Sequence, residues 1–296
     1  VIGSISFAII TDLFKLEMRG RVMGFVQMAF AASQIFGIPV GLYLANHFGW
    51  HSPFWLIVGF SVIVWTIVLI YLKPITAHLQ LKTDKNPVEH LLHTVANVDY
   101  LRAFLATVLL ATGGFMLMPF GAAFSTFNMK ISADELPFLY AVTGVFTMIS
   151  GPILGRFADS IGKFRMFAMG TILSAIMVGI YTNLGATPLW IAIILNVIMF
   201  IGITGRMIPA QSLLTAVPKP QDRGAFMSIN SSVQQFSGGI ASFVAGLIVI
   251  REPNGHLDRY NILGFVVICS MLVAVALMYN LNRHIQKKLH AATPNI

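Results

Sequence analysis

The chain has 296 residues, 56% of them hydrophobic and only 10% charged, with a mean hydropathy of +0.79. A soluble domain carries about 25% charged residues, so this composition excludes an ordinary water-soluble fold and points to a helical protein that crosses a membrane many times. The net charge of +8 does not indicate nucleic acid, because the basic residues gather at the ends of apolar runs, and the single cysteine, Cys269, excludes a disulfide framework.

The first run, residues 1–13, is apolar but begins in mid-helix and reads as an incomplete span. Full spans follow over 20–46, 53–72, 101–126, 136–155, 164–184, 188–210, 224–250 and 260–281, each an apolar run of roughly 20–27 residues. The expected fold is an all-α polytopic membrane protein with eight full spans and the end of a ninth. Only one connection is long: the polar, charged segment 74–100, with Pro74 and Pro87. It separates 1–73 from a six-helix bundle over 101–283, which is followed by a tail at 284–296.

Candidate functional residues fall along these spans. Gln27 and Gln34 lie in the span 20–46, just before Gly37-Ile-Pro39-Val-Gly41. In the linker, Glu89-His90-x-x-His93 lacks a third metal ligand and reads as part of a solvated, amphipathic loop helix. Phe115, Phe120 and Phe124 either form an aromatic cavity wall or pack against lipid and neighbouring helices. Residues 155–165 form a short, charged, glycine-bracketed turn between two apolar runs, and so force an antiparallel helix hairpin. Arg206 is the one charge clearly inside a span; it either snorkels to the interface or faces a cavity as a substrate-binding or gating cation. Gln211 follows it. Asn230 and Gln234 share a helical face, where amides either contact substrate or hydrogen-bond between helices. None of the eleven Asp and Glu lies inside a complete span, and no phosphate-cradling Gly-rich Lys motif is present.

Loops on the side of 155–165 hold fifteen Lys and Arg, whereas the opposite loops hold only Lys130, Arg251 and Arg259. The positive-inside rule puts the linker, the 155–165 turn and the tail in the cytoplasm. The chain also repeats itself. Arg19-Gly20-x-x-Met23 returns as Arg223-Gly224-x-x-Met227 at an offset of 204, with Thr11 matching Thr215. Ile57-Val-Gly-Phe-Ser-Val-Ile63 returns as Ile262-Leu-Gly-Phe-Val-Val-Ile268 at 205. Internal repeats of this size mark secondary transporters. The partner of 101–204 would precede residue 1, so the chain reads as N-terminally short by roughly a hundred residues.

Gly155-x-x-x-Asp159-x-x-Gly162-Lys163-x-Arg165 resembles the second copy of the cytoplasmic signature loop of the major facilitator superfamily. The fuller pattern has Arg after the Asp, where this chain has Ser160. The resemblance implies the major facilitator fold from the end of helix four through helix twelve. It also implies a gating role for the loop, with Asp159 set against the N-terminus of the eleventh helix near Arg223-Gly224. Gly37-Ile-Pro39-Val-Gly41 and the following Phe48-to-Phe54 turn resemble the fifth helix of arabinose-type efflux permeases in the drug:proton antiporter branch. Phe115-x-x-x-Pro119-Phe120 and Arg206-x-x-Pro209-x-Gln211 resemble the same branch.

What the resemblance implies is a secondary transporter that exports small drug- or sugar-like compounds by alternating access, with protons as the coupling ion. Its setting would be a bacterial plasma membrane, where it works as a monomer in the lipid bilayer without cofactor, metal or nucleic acid. An importer of the same fold and a transport-inactive receptor are the alternatives. An enzyme would need clustered His, Asp, Glu or Cys at one membrane face, and the sequence has no such cluster.

Overall fold

A computed structural model describes residues 2–71, 87–132 and 134–292. The helices are α1 (Ile2–Leu13), α2 (Arg19–Ala32), α3 (Ile38–Phe48), α4 (Ser52–Tyr71), α5 (Pro87–Ala96), α6 (Val98–Leu117) and a single turn, α7 (Gly121–Ala123). They continue with α8 (Leu136–Ile161), α9 (Lys163–Tyr181), α10 (Leu189–Leu214), α11 (Arg223–Ile248) and α12 (Tyr260–Ala292). A π-turn at Ser33–Gly37 joins α2 to α3, so the expected span 20–46 is one helix with a bulge. Six of the described helical stretches are individually long and apolar enough to cross a membrane. With 26 residues, α11 is also long enough, at about 39 Å, but its Asn-Ser-Ser and Gln-Gln content makes it less apolar.

The turn expected over 155–165 is shorter than the sequence suggests. Helix α8 runs on through Gly155 and Asp159 to Ile161, and α9 starts at Lys163. Gly162 alone makes the connection, at φ +99°, a conformation that side chains with a Cβ rarely adopt.

Proline breaks α6 near its end. Pro119 cannot donate to the carbonyl of Phe115, and the helix passes into a 3-10 turn, α7 and a π-turn over Phe124–Asn128. The Phe115 carbonyl is not orphaned, because Ser242 Oγ of α11 donates to it at 3.0 Å. One turn earlier on α11, Gly238 leaves room for the Phe115 ring; a Cβ there would lie 2.8 Å from Phe115 Cγ. The Phe115-x-x-x-Pro119 motif therefore docks α6 onto α11, with the Phe115 ring packed against Gly238. Phe124 is also buried, stacked on Tyr260 with ring centroids 4.2 Å apart, and Phe120 packs half-buried against the same core.

Two core clusters stack along α6 and α8–α12. One gathers Met116, Phe124, Tyr181 and Tyr260, and the other Tyr100, Phe104, Phe167 and Phe226. A two-stranded antiparallel hairpin, β1 (Ile250–Arg251) and β2 (Leu257–Asp258), covers the end nearer the first cluster. The Asn128 amide binds both backbone groups of Leu257 at 2.9 Å, as a neighbouring strand would. Apolar side chains on the outer faces are exposed, and along α4 no residue is buried, as expected where lipid is the solvent.

Candidate functional site

The end of the molecule that carries Gly162 is built around one carboxylate. Asp159, in the last turn of α8, accepts from the backbone N–H of Gly20 at 2.9 Å and of Arg21 at 2.8 Å. These are among the first N–H groups of α2, which have no partner within their own helix. The positive end of the helix dipole adds to the attraction. Lys163 Nζ reaches the same carboxylate at 3.1 Å, one turn on across Gly162. Asp159 thus caps α2, not α11. The expectation of a contact near Arg223-Gly224 is corrected: around Gly224 nothing lies within 4 Å of where a Cβ would be.

The reason lies in the glycines. Gly20 and Gly24 on α2 face Gly151 and Gly155 on α8, each pair at the same four-residue spacing. A Cβ on Gly20 would lie 2.7 Å from Gly155 O, and one on Gly155 would lie 2.5 Å from Gly20 O. Gly24 and Gly151 meet in the same way, at 2.6 and 2.9 Å. Backbone touches backbone over this crossing, and only that closeness brings the Asp159 carboxylate to the first N–H groups of α2. In the sequence the crossing shows only as two Gly-x-x-x-Gly patterns, Gly20 to Gly24 and Gly151 to Gly155.

In the sequence Arg19 marks the repeat and is one of the fifteen basic residues on its side; in the fold it is a central strut. It is 6% exposed and donates through Nε to Phe14 O at 3.1 Å, through Nη1 to Thr215 O at 2.9 Å and through Nη2 to Thr11 O at 2.9 Å. The matched residues Thr11 and Thr215 therefore meet at one guanidinium, which serves carbonyls at the C-terminal ends of α1 and α10. The repeat partner of Arg19, Arg223, instead pairs with Asp12 of α1 at 2.5 Å.

A second carboxylate, Asp222, precedes α11. It accepts from Tyr100 Oη at 2.6 Å and pairs with His90 Nε2 of the linker helix α5 at 2.8 Å. Burial alone would raise its proton affinity. The hydrogen bonds from Tyr100 and His90, with the charges of His90 and Lys219, outweigh burial and hold the carboxyl below its usual range. The linker helix was expected, but the docking of His90 was not, since nothing local to His90 in sequence points to Asp222.

The remaining candidates are not gathered into one site. Arg206 is 2% exposed, which rules out the snorkelling alternative: α10 continues to Leu214 and carries Arg206 about 12 Å inside its end. Asn230 is buried and accepts from Thr107 Oγ1 at 2.6 Å, an interhelical bond. Gln27, Gln211 and Gln234 are half-buried, and Gly37 and Gly41 have open space where a Cβ would be. The side chains of Gln34 and Pro39 lie outside the described residues. Arg165 is exposed, and among the described residues no group of three or more metal-ligating side chains forms.

The family model described as Major Facilitator Superfamily matches residues 1–102 and 103–294. The chain belongs to the Major Facilitator Superfamily. It is a multi-pass membrane protein of a transporter family, and its helical architecture is the one the sequence led us to expect. Among curated superfamily proteins it is similar to the MFS-type transporter YceJ of Bacillus subtilis (strain 168), at 23% identity over 252 residues. That match covers 84% of this chain and 62% of YceJ. It is also similar to the MFS-type transporter YbcL of the same organism, at 24% identity, covering 86% of this chain and 64% of YbcL. This superfamily chain therefore spans under two thirds of the length of either relative. Among solved structures, it resembles a bacterial homologue of the iron transporter ferroportin in an outward-facing state. The TM-score is 0.69 at 14% identity, over 92% of this chain and 66% of that one, a likeness of fold.

Proposed function

We propose that the protein is a secondary active exporter of small organic compounds, drug- or sugar-like, which works by alternating access in exchange for protons. The observation that carries this reading is the set of contacts at the Gly162 end. Asp159 with Gly20 and Arg21, Arg19 with Thr215, and Arg223 with Asp12 all tie helices before the linker to helices after it. Alternating access requires contacts of this kind, made in one state and broken in the other. On this reading residues 1–73 belong to one bundle, 74–100 are the linker and 101–283 form the second bundle. The Gly162 end, the linker and the tail face the cytoplasm, in agreement with the excess of Lys and Arg there. The conformation is then outward-facing, the state named for the structural neighbour, and the protein acts as a monomer.

The test is efflux of ethidium from cells expressing the whole protein, with and without a protonophore. Asp159→Asn keeps expression but weakens two charge-assisted bonds of about 1.5–3 kcal/mol each. It is expected to reduce efflux several-fold, and wild-type efflux from this variant would sink the gating role. Efflux that persists after the proton gradient collapses would exclude proton exchange.

A further inference from the structure

Helices α9 and α12 pack side by side, and each turns an apolar stripe away from the bundle. On α9, Met169, Ile172 and Ile176 are exposed. They share one helical face with Arg165, which stands at the head of the stripe in the first turn of the helix. On α12, Phe265, Leu272 and Tyr279 are exposed on one face, and Arg283 continues that face one turn beyond Tyr279. The seam between the helices is closed at two levels. Phe164 meets Tyr279 edge to face, with ring centroids 5.4 Å apart, and a Cβ at Gly179 would lie 3.5 Å from Ile268 Cδ1. These contacts fall at the margins of the two exposed faces, so the stripes flank one seam.

The two arginines come to the same end of that seam. Helix α9 starts at Lys163 and α12 arrives from the opposite direction, so Arg165 is level with the Phe164–Tyr279 ring pair and Arg283 lies about 6 Å beyond it. Both arginines are exposed, and among the described residues neither pairs with a carboxylate. Asp159 is taken by Lys163, and Asp99 is held by Arg102 and His284. Tyrosine rings sit at the headgroup level of a membrane. Guanidinium groups beside Tyr279 therefore meet lipid phosphates, while the stripes below them meet acyl chains. A zwitterionic headgroup would bring its own cation against two arginines. An anionic one brings only the phosphate, which a guanidinium binds through paired N–H groups.

We propose that the α9–α12 seam binds an anionic phospholipid, with its phosphate at Arg165 and Arg283 and its acyl chains along the two stripes. This inference stands apart from the transport reading, and its test needs no transport. The whole protein, purified in detergent, is unfolded thermally with dioleoylphosphatidylglycerol or dioleoylphosphatidylcholine added at equal mole fraction. Phosphatidylglycerol should raise the midpoint by about 2–4 °C over phosphatidylcholine. The rise should vanish when Arg165→Gln and Arg283→Gln are combined. It should persist when Arg102→Gln and Arg156→Gln are combined, which removes two exposed charges from the same end. Equal wild-type midpoints in the two lipids refute the proposal, whether or not the variants fold. A rise that survives the first pair, or is lost equally in the second, is a general response to negative charge and overturns it. So does an equal rise with soluble glycerol 3-phosphate, because the acyl chains would then contribute nothing.

Discussion

Asp222 is held between a phenol and an imidazole, and its acidity follows from those two donors. Because its carboxyl titrates below the usual range in the folded protein, the folded state binds its proton less readily than the unfolded chain. The resulting stabilisation is complete above the unfolded pKa and is lost as pH falls through the folded one. Unfolding followed from neutral pH downward should show a stability loss setting in below about pH 4, and Asp222→Asn should flatten that part of the curve. An identical profile in the variant would show that the acid sensitivity lies elsewhere. Arg19 makes a different use of charge. Its hydrogen bonds go to three carbonyls and the Thr215 hydroxyl, so they draw on helix C-termini and persist at pH values where carboxylates are neutral.

Elements in this protein meet by subtraction. Gly20, Gly24, Gly151 and Gly155 let α2 and α8 touch along their backbones, whereas Gly224, the repeat partner of Gly20, has open space around it. That difference gives a controlled experiment. Gly155→Val should drive a side chain into Gly20 O, cost about 1–3 kcal/mol and lower the melting point, while Gly224→Val should leave it within error. Equal effects at the two positions would refute the close crossing. The spans are legible in the sequence because long apolar runs report helices in lipid directly. The partner of Asp159 is not, because cap and glycine crossing are long-range events. Asp159 is 139 residues from Gly20, and the motif says nothing of its partner. Phe115 illustrates the same limit: its pattern with Pro119 was visible, but its meaning depends on Gly238 and Ser242 of another helix.

Across the whole molecule, the proposed sidedness follows from the uneven distribution of basic residues. In a Cys269→Ser background, Lys163→Cys should react with an impermeant thiol reagent only from the cytoplasmic face, and Lys130→Cys only from outside. Labelling in the reverse order would invert the molecule in the membrane and the export direction with it. The repeat was legible as matched Thr and Arg residues. That Arg19 would join both matched threonines could not be read from it, since Arg19 and Arg223 occupy equivalent places yet choose different partners.

The single-residue link at Gly162 has a mechanical consequence. With one residue between them, the end of α8 and the start of α9 stay together. If the α8 arm swings when Asp159 leaves the start of α2, it carries the start of α9 with it. That arm bears on the α10 backbone at Gly170, beside Arg206. A displacement at the Asp159 cap would thus reach the buried guanidinium by a short route, through two helices and one glycine.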